Sequence, residues 1–121
     1  MLRPGRRKRT AGRSEGTPRG ATMHRLTVFV RTTDTAGHSP LYVEIVRHAR
    51  QHGLRGATVL PCVAGFGESR TVRRRRGLGL AQDRPLMLLF VDTADRIALF
   101  RMSLREIAPG SLAVLDVVTT A

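Results

Sequence analysis

The chain has very little of several residue types. It contains one cysteine, Cys62, and neither tryptophan nor asparagine among its 121 residues. A single cysteine excludes an intrachain disulfide and zinc sites built from paired cysteines. No apolar run approaches the roughly 18–20 residues that a membrane-spanning helix requires. We therefore predict a soluble protein of the reducing cytoplasm, one domain in size, with no resident cofactor or metal.

Aromatic residues make up only 4% of the chain, and the charge is strongly positive at +12. The core must therefore be built mainly from leucine, valine, isoleucine and alanine. All but one of the 21 basic residues are arginine. An excess of positive charge favours anionic partners such as phosphates or nucleic acids, although it says nothing about the fold.

The first 24 residues are rich in arginine, glycine, proline, threonine and serine, with no apolar periodicity. Such a composition cannot bury enough surface to offset the entropy of ordering. We predict a disordered basic leader at 1–24 and one folded domain at 25–121. The leader is either a basic arm that binds nucleic acid or lipid, or a translation artefact, in which case Met23 is the true start.

Hydrophobic patterning predicts four strands and two helices in the folded domain. Alternating residues predict a first strand at 25–31, and Ser39-Pro40 is a helix-start signal in which the serine hydroxyl can act as the cap. The first helix ends at Gly53. The other predicted elements are a strand at 56–64 with Pro61 marking a sheet edge or bulge, a strand at 86–91, a helix capped by 92–95 and ended by 109–110, and a strand at 112–118.

The order β-α-β-β-α-β is typical of the α+β ferredoxin-like sandwich, an antiparallel four-stranded sheet with two helices on one face. The segment 86–91 is apolar at every position, which indicates a central strand with both faces covered. Helices cover only one face of such a sheet. We therefore expect other subunits to cover the second face, as in a cyclic homo-oligomer.

A long basic loop at 65–85 is the main candidate for a ligand site. Its glycines let backbone N–H groups turn toward an anion, and arginine binds phosphate through paired hydrogen bonds. The predicted ligand-binding residues are Gly65, Gly67, Arg70, Arg73, Arg74, Arg75 and Arg76. The alternative is a glycine turn followed by a solvated run of charges that repel one another.

Several segments resemble the PII-like family known as domain of unknown function 190. They are Gly53-Leu54-x-Gly56-Ala57-Thr58-Val59, Ala64-Gly65-Phe66-Gly67, Asp83-x-Pro85 and Val91-Asp92, together with Leu41-Tyr42, Ile45-Val46 and Ala49-Arg50. The resemblance covers roughly residues 25–118. It implies a ferredoxin-like homotrimer, adenine nucleotides bound between subunits near the base of the loop, and a regulatory action on a target such as a membrane transporter or an enzyme.

Two departures from the family pattern flank the expected ligand cleft. Pro61-Cys62 stands where relatives often have Arg-Gly, and Val72-Arg73 stands where they often have Ile-His. Both put an inherited ligand specificity in question.

Other chemistries find little support in the sequence. His48 and His52 have the i, i+4 spacing of a metal pair, but two histidines beside an apolar helix stripe are more often structural. The absence of asparagine excludes the acylphosphatase mechanism, and no carboxylate pair or nucleophile motif is evident, so we predict no catalytic residues. The rival hypothesis is an RNA-binding protein, for which Phe29 and Phe90 are the only strand aromatics available to stack on bases.

Overall fold

Within the described residues, the strands and helices follow the predicted order, with four short additional strands. The computed structural model describes residues 16–65, 73–74 and 83–121. The elements are β1 (Thr22–Arg31), β2 (Thr35–Ala36), β3 (Ser39–Pro40), α1 (Leu41–Gln51), β4 (Thr58–Pro61), β5 (Ala64–Gly65), β6 (Arg73–Arg74), β7 (Pro85–Asp92), α2 (Ala94–Ile107) and β8 (Leu112–Thr119). Neither of these helices is long and apolar enough to cross a bilayer.

Four strands form one antiparallel sheet in the order β4-β7-β1-β8. The predicted α+β ferredoxin-like arrangement is confirmed, with β7 inside the sheet and β4, which carries Pro61, at an edge. Edge placement suits this proline because it has no N–H to donate to a neighbouring strand. The short strands pair separately, β2 with β3 and β5 with β6.

The core lies between the sheet and both helices. In β1 and β7 the inward side chains face one another across the register, as in the pairs Leu26–Phe90 and Val28–Leu88. The helices contribute the stripes Leu41, Ile45, Ala49 and Ile97, Phe100, Leu104, all of them buried in the same cluster. Phe90 and Phe100 meet edge to face at 4.9 Å between ring centroids, the arrangement that the charge distribution of aromatic rings favours.

Helix α1 begins differently from the prediction. Ser39 pairs with Ala36 in the β2–β3 hairpin, Pro40 is the N-cap, and no side chain caps the helix. The proposed serine cap is therefore wrong, because Ser39 is already committed to a strand pair. The predicted stop at Gly53 is confirmed. Gly53 has a φ of +75°, and its N–H and that of Leu54 close the helix on the carbonyls of Arg50 and Ala49.

A buried carboxylate joins the start of α2 to the loop that follows α1. Asp92 is 1% exposed, and its two oxygens accept from the backbone N–H of Thr93 at 2.7 Å and of Arg55 at 2.8 Å. The Arg96 guanidinium lies 3.4 Å away. The Thr93 hydroxyl then accepts from the Arg96 N–H, which confirms the predicted cap. Asp92 therefore fixes the chain just before β4.

Strand β1 begins at Thr22, ahead of the predicted start at Arg25. The residues before it are also bonded to the domain: Gly20 N–H donates to the Thr120 carbonyl at 2.8 Å, and Thr120 N–H donates to the Ala21 carbonyl at 2.9 Å. Residues 1–15, which form most of the predicted leader, lie outside the described residues.

Two leucines on α2, one buried and one exposed, can be used to test which face of the helix packs against the core. Leu104 is 5% exposed and Leu99 is 59% exposed. Leu104→Ala should lower the free energy of unfolding by about 2–5 kcal/mol, because it removes buried methyl groups and leaves a cavity. Leu99→Ala should change it by less than about 0.5 kcal/mol in the same urea titration. Equal effects of the two substitutions would contradict the assigned orientation of α2.

The Asp92 bridge can be tested with a nearly isosteric change. Asp92→Asn keeps one acceptor oxygen and places an NH₂ group against a buried N–H, so it should destabilise the fold by about 1–3 kcal/mol. Asp95→Asn, on the exposed first turn of α2, should cost less than about 1 kcal/mol. Urea denaturation of both variants measures the difference. An Asp92→Asn variant as stable as the wild type would show that the bridge does not hold the loop.

Candidate functional site

The long loop leaves and rejoins the sheet at one end, and both of its feet are bonded there. On the outgoing side, Cys62 N–H donates to the Pro85 carbonyl at 2.9 Å. On the returning side, Thr32 and Arg84 exchange two bonds, Thr32 N–H to the Arg84 carbonyl and Arg84 N–H to the Thr32 hydroxyl, each 2.9 Å. The Thr33 hydroxyl donates to Asp83 at 3.0 Å. The loop therefore starts from a fixed base.

The predicted ligand-binding residues fall into two groups. Gly65, Arg73 and Arg74 lie in the β5–β6 pair, where Gly65 stands opposite Arg73 and Ala64 stands opposite Arg74. The other four, Gly67, Arg70, Arg75 and Arg76, lie outside the described residues. The pairing brings one predicted glycine and one predicted arginine into register. The role of the whole set in binding stays a prediction.

The sheet has one face covered by helices and one face that the helices leave bare, here called the helix-free face. Its side chains alternate with the core residues and include Thr58 and Leu60 on β4, Leu89 and Val91 on β7, Arg25, Thr27 and Phe29 on β1, and Leu112, Val114 and Asp116 on β8. Leu60, Phe29, Val91 and Val114 are each 39–46% exposed, and Leu112 is 62% exposed. This chain by itself therefore presents a mainly apolar sheet surface to water.

An open cavity of about 510 Å³ lies on the helix-free face, at the end of the sheet opposite the long loop. It is lined by Arg25, Arg55, Gly56, Ala57, Thr58, Leu89 and Val91. Four elements build it: β1 supplies one arginine, the loop before β4 supplies the other arginine together with Gly56 and Ala57, β4 supplies Thr58, and β7 supplies an apolar wall. Sequence reasoning missed this site. It assigned Gly56-Ala57-Thr58 to a strand and to the family resemblance, but not to a ligand site.

The two arginines of this cavity differ in their electrostatics. Arg25 forms a bidentate pair with Asp116, at 3.1 Å from Nε and 2.7 Å from Nη2. This hydrogen bonding lowers the pKa of the Asp116 carboxyl and raises the pKa of Arg25, so both groups are charged at neutral pH. The Arg55 guanidinium donates instead to the hydroxyl of Thr17. Within the described part of the chain, Arg55 has no carboxylate partner.

The small residues next to Arg55 leave the main chain of the cavity accessible to a ligand. A Cβ added at Gly56 would meet no heavy atom within 4 Å, so the backbone there faces open space. The Arg55 backbone is at the same time held by Asp92. The cavity therefore combines a fixed cationic residue, an accessible stretch of main chain and an apolar wall, which are the features that bind a flat apolar group bearing a phosphate.

A second cavity, of about 360 Å³, lies on the helix side between α2 and β8. Its arginines, Arg101 and Arg105, both belong to α2, and much of its remaining lining is apolar, including Leu104, Ala108 and Leu115. It lacks the convergence of charged groups from separate elements. The cavity at Arg25 and Arg55 is therefore the better candidate for an anion.

The remaining sequence candidates have structural partners. His48 Nδ1 lies 2.8 Å from the Ser103 hydroxyl and so links α1 to α2, and the His52 ring packs against Phe100 at 6.0 Å. Over residues 16–65, 73–74 and 83–121, no three metal-ligating side chains cluster. Phe90 is 1% exposed in the core, so it is not available to stack on a base. That leaves Phe29 as the only partly exposed aromatic of the two that the RNA hypothesis needs.

Comparisons with known proteins agree with this architecture. A UPF0166 protein of Aquifex aeolicus (strain VF5) is 25% identical over 92 residues, which are 76% of this chain and 88% of the relative. Two solved structures share the fold at low identity. A PII-like signaling protein of Thermus thermophilus aligns with a TM-score of 0.56 and 14% identity over 84% of this chain and 89% of that one. CPII of Thiomonas intermedia K12, in a structure with ADP and bicarbonate bound, aligns with a TM-score of 0.57 and 11% identity over 83% and 89%.

A third fold relative is CutA of Synechococcus elongatus PCC7942, with a TM-score of 0.53 and 12% identity over 84% of this chain and 80% of that one. The family model DUF190, described as Uncharacterized ACR, COG1993, matches residues 23–120. That match spans the sheet, both helices and the loop between β4 and β7, and it confirms the resemblance seen in the sequence. The chain therefore belongs to the PII-like DUF190 family.

Proposed function

We propose that this protein is a trimeric regulatory protein of the cytoplasm, without catalytic activity of its own, that binds an anionic effector between subunits. The effector is an adenine nucleotide, and the basic loop at 65–85 carries the signal to a target such as a membrane transporter or an enzyme. The observation that carries the proposal is the cavity in which Arg25 and Arg55 lie beside accessible main chain and an apolar wall on the helix-free face.

The chemistry of the cavity supports a nucleotide. Arginine donates paired hydrogen bonds to phosphate oxygens, and the open backbone at Gly56 can approach a ligand closely. Leu89 and Val91 offer a surface for a flat heteroaromatic base. The ADP in the structure of CPII, a fold relative, makes adenine nucleotides the first ligands to test.

The position of the cavity supports binding between subunits. In the β4–β7 register, Thr58 at the cavity stands opposite Leu89, whereas Pro61 next to the long loop stands opposite Leu86. The cavity and the base of the loop therefore lie at opposite ends of one sheet. In a ring of subunits, a small ligand can contact the cavity of one chain and the loop of its neighbour.

The apolar helix-free face supplies a reason for the chains to associate. Its exposed side chains gain roughly 25 cal/mol for each Å² of apolar surface removed from water. A closed ring of identical subunits covers such a face on every copy, and three copies are the number that the family resemblance implies.

The loop would transmit the signal through a population shift. The adjacent arginines of the run 73–76 repel one another, and an anionic ligand reduces that repulsion. Such a ligand favours the conformations in which residues 66–84 close on it, in proportion to its higher affinity for them. The target then distinguishes the closed loop from the open one.

Calorimetry with ATP, ADP, AMP and cyclic AMP tests the ligand assignment. We expect binding that discriminates among these nucleotides and persists at roughly 200 mM salt. Arg55→Ser should weaken it by about 10- to 150-fold, the loss expected for a hydrogen bond to a charged group. Replacing Arg73 to Arg76 by serine tests the loop in the same titration, and it too should weaken binding.

Arg50→Ser is the matched control, because Arg50 is exposed on α1 and lines neither cavity. Its affinity should equal that of the wild type. No heat with any nucleotide would refute the nucleotide assignment. Binding that is lost between about 50 and 200 mM salt, whatever the nucleotide, would instead indicate nonspecific attraction to phosphate.

Sedimentation velocity at micromolar concentration tests the assembly. The wild type should sediment as a trimer. Val114→Lys should shift it toward monomer because it places a charge on the helix-free face, whereas Leu99→Lys on the outer side of α2 should leave the trimer intact. A wild-type monomer would contradict the proposal that copies of the chain cover this face.

A further inference from the structure

The segment Thr17–Ala21, called here the N-terminal arm, is bonded to the last residues of the sheet. Thr120 holds it through four hydrogen bonds: its carbonyl accepts from Gly20 N–H, its N–H donates to the Ala21 carbonyl, and its hydroxyl accepts from Ala21 N–H and donates to the Pro18 carbonyl at 2.6 Å. These bonds fix the backbone from the Pro18 carbonyl to Ala21. Thr17, next along the arm, is therefore carried to a defined place.

That place is beside Arg55, one of the residues that line the cavity described above. The Thr17 hydroxyl accepts a hydrogen bond from Arg55 Nη1, while the Arg55 backbone N–H donates to buried Asp92. Arg55 is thus held at its main chain by one element and at the tip of its side chain by another. On this geometry we propose that Thr17 is a positioning residue for the anion site, which orients the Arg55 guanidinium toward the ligand. This inference rests on the proposed function of the cavity.

The nature of the Thr17 contact favours orientation over competition. A guanidinium has five N–H donors, and a neutral hydroxyl engages one of them without cancelling the charge. The remaining donors stay free for a phosphate. A carboxylate in the same place would neutralise the arginine, as Asp116 does in part for Arg25.

Orientation has a measurable value because a free arginine loses rotamer entropy when it binds. Immobilising one long side chain costs about 0.5–1.5 kcal/mol, which corresponds to about a 2- to 12-fold change in affinity. The hydrogen bond from Arg55 to the arm restricts the arginine before the ligand binds, so less rotamer entropy is lost on binding. Thr17 therefore raises affinity without touching the ligand.

Titration of the full chain with ADP and with inorganic pyrophosphate tests the proposal. Thr17→Val removes the acceptor and should weaken binding by about 2- to 12-fold. Thr17→Ser retains the hydroxyl and should restore the wild-type affinity. Thr35→Val is the matched control, an exposed threonine in β2 away from the cavity, and should have no effect. The melting temperatures of all three variants should match that of the wild type.

A double-mutant cycle shows whether Thr17 acts through Arg55. In an Arg55→Ser background, Thr17→Val should cause no further loss. An equal loss in both backgrounds overturns the positioning role, and so does unchanged affinity of Thr17→Val in a protein that binds either probe. A wild type that binds neither probe removes the proposed anion site, and the inference with it.

Discussion

Both helices pack on one side of the four-stranded sheet and leave its other side uncovered, and this arrangement governs the rest of the molecule. The helices bury the inward residues of β1 and β7, including Phe90, and leave Val114 and its neighbours on the opposite face in contact with water. Whatever covers that face also covers the cavity at Arg25 and Arg55, because the cavity opens on it. The proposed assembly and the proposed ligand binding therefore involve one surface.

Asp92 connects this surface to the core. Its carboxylate is buried at the end of the central strand β7, where it receives the N–H groups of Thr93 and Arg55. One side chain therefore sets both the start of α2 and the position of the loop before β4. A buried charge is costly unless it is fully hydrogen-bonded, so this point has little freedom to move. The backbone of Arg55 is therefore held in place next to the cavity.

Local patterns were sufficient to predict most of the fold. The alternation in β1, the apolar run that became β7 and the Gly53 stop all reflect the local period or the backbone conformation of the residues involved. The serine cap failed because the same local signal fits a hairpin, and only tertiary pairing chose between the two. The arginines of the long loop were visible as a charge run. Their arrangement around a ligand does not follow from charge alone.

The sequence by itself determined the order of the elements, the apolar faces and the position of the basic loop, since each depends on residues close together in the chain. Only the tertiary structure decided that Arg25, Arg55 and Val91 share a cavity, and that Arg55 donates a hydrogen bond to Thr17. These residues come from separate segments, and strand register together with the Asp92 bridge brings them together. No local pattern encodes a contact between residues so far apart in the chain.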